Sequence, residues 1–135
     1  MILYDKKYCK IQYLEDVRCV HLDWSGFAKS TEFREACDFS LQLLKEKGAN
    51  TMIADNSKAK GISSDDEEWM TKDWFPRAIA AGFRNSAVIV GTDLFRTMAV
   101  TSIVNELDKD SFTAQYFDDF FKAKSWIRQL RLSGK

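Results

Sequence analysis

Ala54-Asp-Asn-Ser-Lys-Ala-Lys-Gly-Ile-Ser-Ser-Asp-Asp-Glu-Glu-Trp-Met-Thr-Lys-Asp-Trp-Phe-Pro-Arg77 holds two of the four tryptophans of the chain, and the order of elements reads outward from it. It leaves a short apolar segment, Thr51-Met-Ile-Ala-Asp55, and enters an acidic helix start. Ser64-x-x-Glu67 reads as a capping box, so the helix is expected from Ser64 to about Ala81, with Gly82 ending it. Ala87-Val-Ile-Val-Gly91 follows as a continuous apolar run, the pattern of a strand buried on both faces. Strand, helix and strand in that order imply parallel pairing through a right-handed crossover. The helix also carries Pro76, the only proline of the chain. It predicts a kink and an unpaired Lys72 carbonyl.

The same logic extends outward. Upstream, Phe33, Cys37, Leu41 and Leu44 recur at helical spacing from Ser30, a plausible N-cap, to Lys47, with Gly48 as C-cap. Before that, Tyr8–Leu14 and Val17–Trp24 both alternate, with Val20, Leu22 and Trp24 on one face. Glu15-Asp16 between them makes a β-hairpin. Downstream, Thr92 or Asp93 caps a third helix whose apolar positions are Leu94, Met98, Ile103 and Leu107. Phe112–Phe117 is the last strand. Asp118 or Asp119 caps a final helix with Phe121, Trp126, Ile127 and Leu130, and Leu132–Lys135 reads as a frayed tail. The expectation is one α/β domain over 1–135, of order ββαβαβαβα. Its single mixed sheet has the first strand antiparallel and the rest parallel.

Composition narrows the function classes. Lys+Arg and Asp+Glu number 20 each, so the formal net charge is zero. That argues against a nucleic-acid partner and against a polybasic membrane anchor. No apolar run approaches about 18 residues, so no membrane insertion is expected. Apolar residues make up 45%, enough for a core without disulfides. Cys9, Cys19 and Cys37 are odd in number and lack metal or redox spacing. With no signal-like run in the first residues, the expected location is the cytoplasm. Ten Phe and four Trp at low net charge favour some surface covered by a partner chain.

In an open parallel sheet, ligands bind outside the carboxyl ends of the strands. Those ends here supply Ser25-Gly26, Asp55, Asn56 and Ser57, then Thr92 and Asp93, then Asp118-Asp119. Capping of helices is the commoner use of such residues, and it competes with a ligand or partner site. Trp69, Asp73 and Arg77 share one helical stripe, with Trp74 and Phe75 on adjoining ones. A helix apolar on several sides is either deep in a core or covered by a partner, and at least one of its rings is expected to stay exposed. Ser63 and Ser64 at the helix start are possible phosphoacceptors, but Asp65, Asp66, Glu67 and Glu68 would repel a phosphate. Cys19, His21 and Asp23 share a strand face, yet same-strand neighbours diverge too far for catalysis or for a metal. No catalytic residue, cofactor or metal is expected. Nucleotide, Walker and zincin motifs are absent.

The chain also resembles a known family. The leading hairpin, the three αβ units and the closing helix resemble the STAS domain and its SpoIIAA-like relatives. Leu22-Asp23-Trp24-Ser25-Gly26-Phe27, Ile53-Ala54-Asp55-Asn56, Trp69 with Asp73-Trp74-Phe75-Pro76-Arg77, and Tyr116-Phe117-Asp118-Asp119 resemble small stand-alone bacterial members. The resemblance implies binding of other proteins, and in some members of nucleotides or lipids. In anti-sigma antagonists a regulatory phosphoserine sits in an Asp-Ser-Ser-Gly-like turn. Ile62-Ser63-Ser64-Asp65 occupies that place here and lacks the glycine.

The leading expectation is a non-catalytic module that binds a protein partner or a second copy. The alternatives are a carrier of a small apolar ligand or lipid in a pocket lined by Trp69, Trp74 and Phe75, and an enzyme using Asp55, Ser57 or His21. An enclosed pocket above about 300 Å³ would favour the carrier, a flat exposed apolar patch the protein module, and convergence of His21 with an acid and a nucleophile in a cleft the enzyme.

Overall fold

The computed structural model describes residues 1–133. Alternating apolar residues build the strands, and their register sorts the side chains into two layers. Among the described residues six strands form one sheet in sequential order: β1 (Ile2–Asp5), β2 (Cys9–Leu14), β3 (Cys19–Gly26), β4 (Thr51–Ala59), β5 (Asn85–Ile89) and β6 (Thr113–Phe117). β1, β2 and β3 pair antiparallel, and β3 to β6 pair parallel. The mixed sheet, the hairpin and the αβ alternation are as the sequence implies. β1 is an addition. It shows only Tyr4 to the core, while Ile2 and Leu3 are exposed, so its pattern carries little periodicity.

The helices are α1 (Ser30–Lys47), α2 (Ser64–Trp69), α3 (Phe75–Ala80), α4 (Leu94–Asn105) and α5 (Phe120–Leu132). Sequential parallel strands joined by right-handed crossovers put α1 to α4 on one face. Val20, Leu22 and Trp24 of β3 meet them there, with Phe33, Leu44, Trp74, Phe75, Phe83 and Phe112 in the same core. α5 covers the opposite face through Ala123 and Ile127, packed on Cys19, Ile53, Ala87 and Ile89. Ser86 to Ile89 of β5 is buried throughout, as a strand covered on both sides requires. All three cysteines are free and buried.

Several boundaries differ from expectation, each for a physical reason. Lys29, not Ser30, is the N-cap of α1, because the Lys29 amide is the group that Glu32 reaches back to accept. Gly48 ends α1 as expected, at φ 61°. β4 runs on past Asp55, because β3 continues to Gly26 beyond a bulge and keeps pairing, Ser25 with Lys58 and Gly26 with Ala59. The proline helix does not simply kink. Pro76 has no N–H for an i−4 carbonyl, and its ring would crowd that group. The chain opens instead into a π turn over Met70–Trp74, where the Phe75 N–H donates to the Met70 carbonyl. Pro76 then falls in the first turn of α3, where a missing N–H costs nothing. Leu132 still belongs to α5, while Gly134 and Lys135 of the expected tail lie outside the described residues.

Candidate functional site

The carboxyl ends of β3, β4 and β5 come together tightly. Asp55 Oδ1 accepts from the Ser57 N–H at 2.9 Å, which turns the chain inside β4. Asn56, Ser57 and Asp55 therefore lie within a strand rather than in a free loop. Gly91, after β5, sits so close that a Cβ there would stand 2.5 Å from the Ser57 carbonyl oxygen. Only glycine permits that approach. Of the two cap residues proposed beside it, Asp93 takes the role. Its Oδ2 accepts from Arg96 N–H at 2.8 Å and from Gly61 N–H at 2.9 Å, and these bonds hold its carboxyl below the usual range. Thr92 is exposed and only precedes it. Asp119, not Asp118, caps α5 through Phe121 and Lys122.

Arg96 is the residue that joins these ends, and it stands three positions beyond the cap. It is 3% exposed. Its Nε donates to Asn56 Oδ1 at 3.0 Å and its Nη1 to the Gly61 carbonyl at 2.9 Å. The guanidinium lies 5.2 Å from the Trp24 ring centre and 5.9 Å from that of Phe33. Burial pushes its pKa down to about 10, so it remains a cation at neutral pH. Among the described residues no acid lies within ion-pair distance of it, and Asp93 acts on it through space. The sequence reading did not single out Arg96, and of the apolar positions it assigned to this helix Ile103 shares the inward side with Arg96 and Ala99.

The consequence for α4 is an inverted helix. Arg96, Ala99 and Ile103 face inward. Leu94 at 66% exposure, Phe95 at 75% and Met98 at 59% face outward. Leu94 and Met98, expected as core positions, are thus surface positions. The inward stripe wins because the capping bonds of Asp93 and the Arg96 bonds fix the rotation of α4 from its first turn. Phe27, also exposed, lies against Gly61, whose built Cβ would meet its ring at 3.7 Å.

Beneath α4 and the π turn is a partly open cavity of about 90 Å³. Trp24, Phe33, Trp74, Phe75, Val100 and Arg96 are among its walls. Trp74 and Phe75 are therefore inside the molecule, and the Trp74 Nε1 donates to the Cys37 carbonyl at 3.0 Å. Trp69 is half-buried and is not part of the cavity. Its ring lies 5.1 Å from the Arg34 guanidinium and 5.8 Å from that of Arg77. Arg77 bonds both Asp73 and Asp38 at 3.0 Å, so Trp69, Asp73 and Arg77 tie the proline helix to α1.

At the start of α2 the cap is Ser63 rather than Ser64. Ser63 Oγ accepts from the Asp66 N–H, and Ser64 is exposed one residue inside. Among the four acids here, Asp66 is a buried one. Its Oδ1 accepts from Ser30 Oγ at 2.7 Å and Arg34 Nε at 2.9 Å. Nothing in the local pattern separated Asp66 from its neighbours, because its partners lie on another helix.

Cys19, His21 and Asp23 do share the α5 face but form no hydrogen bonds with one another. Burial pushes the Cys19 thiol up to about 12, which makes it a poor nucleophile. His21 is buried against Phe120, its Nδ1 is 3.2 Å from Gln12 Nε2, and burial lowers its pKa. Its Nε2 and the Asp23 Oδ1 are buried without partners. Among the described residues no group of His, Cys, Asp and Glu is arranged to hold a metal ion. No helix among them is long and apolar enough to cross a membrane.

This architecture is SpoIIAA-like. A solved structure of an uncharacterized protein of the DUF3478 family, with a SpoIIAA-like fold, from Shewanella loihica PV-4 is similar to it. The TM-score is 0.58 and the identity 17%, over 88% of this chain and 91% of that one. No protein-family model matches the chain, and no curated protein matches it either.

Proposed function

We propose that the protein is a non-catalytic binding module acting through apolar protein contact, with the outward face of α4 as the contact surface. The inversion of α4 carries this reading. A helix that buries an arginine and turns Leu94, Phe95 and Met98 to solvent presents apolar area that a lone monomer has no use for. Phe27, also exposed, stands by Gly61, whose N–H is bonded to Asp93 at the start of α4. The partner supported best is a second copy of the chain, since a net charge of zero imposes no long-range repulsion between copies. The resemblance to STAS domains, which usually bind proteins, points the same way. Sedimentation at rising concentration tests it. The expected result is a concentration-dependent dimer that Phe95→Glu converts to a monomer of unchanged stability. A wild-type chain that stays monomeric to its solubility limit would refute the second-copy partner.

One observation favours a second reading, that of a carrier for a small apolar ligand. The cavity under α4 is smaller than the drug-sized pockets for which about 300 Å³ is the lower bound. It is nonetheless a void in an interior that normally packs closely. A bound apolar group would make contacts there that the walls otherwise lack.

A further inference from the structure

Resting on the carrier reading, we propose that the cavity takes an anionic amphiphile, a medium-chain monocarboxylate, with its carboxylate on the Arg96 guanidinium and its alkyl chain among Trp24, Phe33, Trp74 and Phe75.

The starting point is a buried charge that no acid contacts directly. Arg96 is a cation more than nine-tenths buried, and it forms a wall of an otherwise apolar cavity. The acceptors it has are neutral, the Asn56 side-chain carbonyl and the Gly61 backbone carbonyl. Buried charges are ordinarily paired. The nearest acid in sequence, Asp93, acts on it only through space, with its Oδ2 committed to two backbone N–H groups. The bonds from Nε and Nη1 leave the Nη2 group and the second Nη1 proton without acceptors among the described residues. That is the donor fork a carboxylate meets with both oxygens. Trp24 and Phe33 stack near the guanidinium, and Asn56 and Gly61 hold it from the side, so the fork is set in place before a ligand arrives.

The same arrangement selects the ligand. An alcohol of the same chain length offers one hydroxyl oxygen and leaves the charge unpaired. An alkylammonium puts like charge against like charge inside a low dielectric. The cavity volume of about 90 Å³ corresponds to roughly three waters of liquid, so the head and the first few carbons fill it. A longer tail leaves through the open side. A second cation is not among the cavity walls, so a single negative charge is the match.

Isothermal titration of the wild-type protein with octanoate, 1-octanol and octylammonium at neutral pH decides the matter. Octanoate is expected to bind at least tenfold more tightly than 1-octanol, with octylammonium the weakest. Arg96→Met is expected to lower octanoate to the level of 1-octanol while leaving 1-octanol unchanged. If that variant fails to fold, the wild-type series alone gives the answer. Equal binding of octanoate and 1-octanol would overturn the anion site and leave the carrier reading standing. If none of the three binds, the carrier reading fails and the anion site fails with it.

Discussion

The α2–α3 segment and α4 pack on the same face of the sheet and treat their apolar residues in opposite ways. Trp74 and Phe75 go inward, where Phe75 lies 5.4 Å from Phe112 and 6.0 Å from Phe83 between ring centres. Phe95 goes outward and Arg96 goes inward. The difference does not come from hydrophobicity. It comes from what anchors each helix. The proline segment is anchored by side chains on α1: Asp66 to Arg34 and Ser30, Arg77 to Asp38, Trp74 to the Cys37 carbonyl. Those contacts turn its aromatic face onto the sheet, and the π turn gives it room to comply. α4 is anchored by its own cap and by loops, Asp93 to Gly61 and Arg96 to Asn56 and Gly61. Those polar bonds take the inward positions, and the rings next to them are left outside.

The contrast is sharpest in stability. Phe75→Ala is expected to cost about 3–5 kcal/mol in urea denaturation, as aromatic truncation in a core does. Phe95→Ala is expected to stay within about 0.5 kcal/mol of wild type. Similar losses for the two would mean that α4 packs as α3 does, and the comparison would break.

Next is the anchoring carboxylate. Asp66→Ala strands Arg34 and Ser30, and about 2–3 kcal/mol is expected, below the range for a fully buried pair because Arg34 is partly exposed. Asp66→Asn keeps an acceptor for Ser30 and should lose less. A neutral Asp66→Ala melting curve would show that α2 is not held by α1.

The start of α2 gives a smaller effect. Ser63→Ala removes the cap and should cost about 0.5–2 kcal/mol, while Ser64→Ala should be near neutral. The reverse order would place the cap one residue later and restore the capping box read from the sequence.

The smallest effect concerns acid. Asp93 has a lowered carboxyl pKa because it accepts the Gly61 and Arg96 amides. Its folded value lies below its unfolded one, so its contribution is complete above the unfolded value near 3.9. That contribution is lost as pH falls through the folded value. Ser63, the cap of α2, does not titrate. On acidification the Gly61 and Arg96 amides should therefore lose exchange protection before the Asp66 amide does, after correction for intrinsic rates. Equal loss at both helix starts would show that the whole sheet face opens at once.

Much of this was legible in the residues. The alternation of Val20, Leu22 and Trp24, the run Ala87–Val90 and the caps at Gly48 and Asp93 each report a local periodicity or a local bond, and local features are written in order along the chain. The mostly parallel αβ arrangement follows from them, because sequential parallel strands leave few topologies. The site was legible only in part. Asp93 does cap α4 beside the end of β5, while Asp55 and Asn56, read as the end of their strand, lie inside β4. Arg96 and Asp66 were not readable, since what marks them is burial, and their partners stand at Asn56 and Gly61 for the first and at Ser30 and Arg34 for the second.

Side-chain period and capping, both short-range, set the order of elements from β2 onward, the faces of those strands and the caps at Gly48, Asp93 and Asp119. How each helix is rotated about its own axis was settled by tertiary packing alone. That rotation depends on polar contacts between distant segments, and those contacts put Trp74 and Phe75 in the core, Phe95 in solvent, and a lone guanidinium beside an apolar cavity.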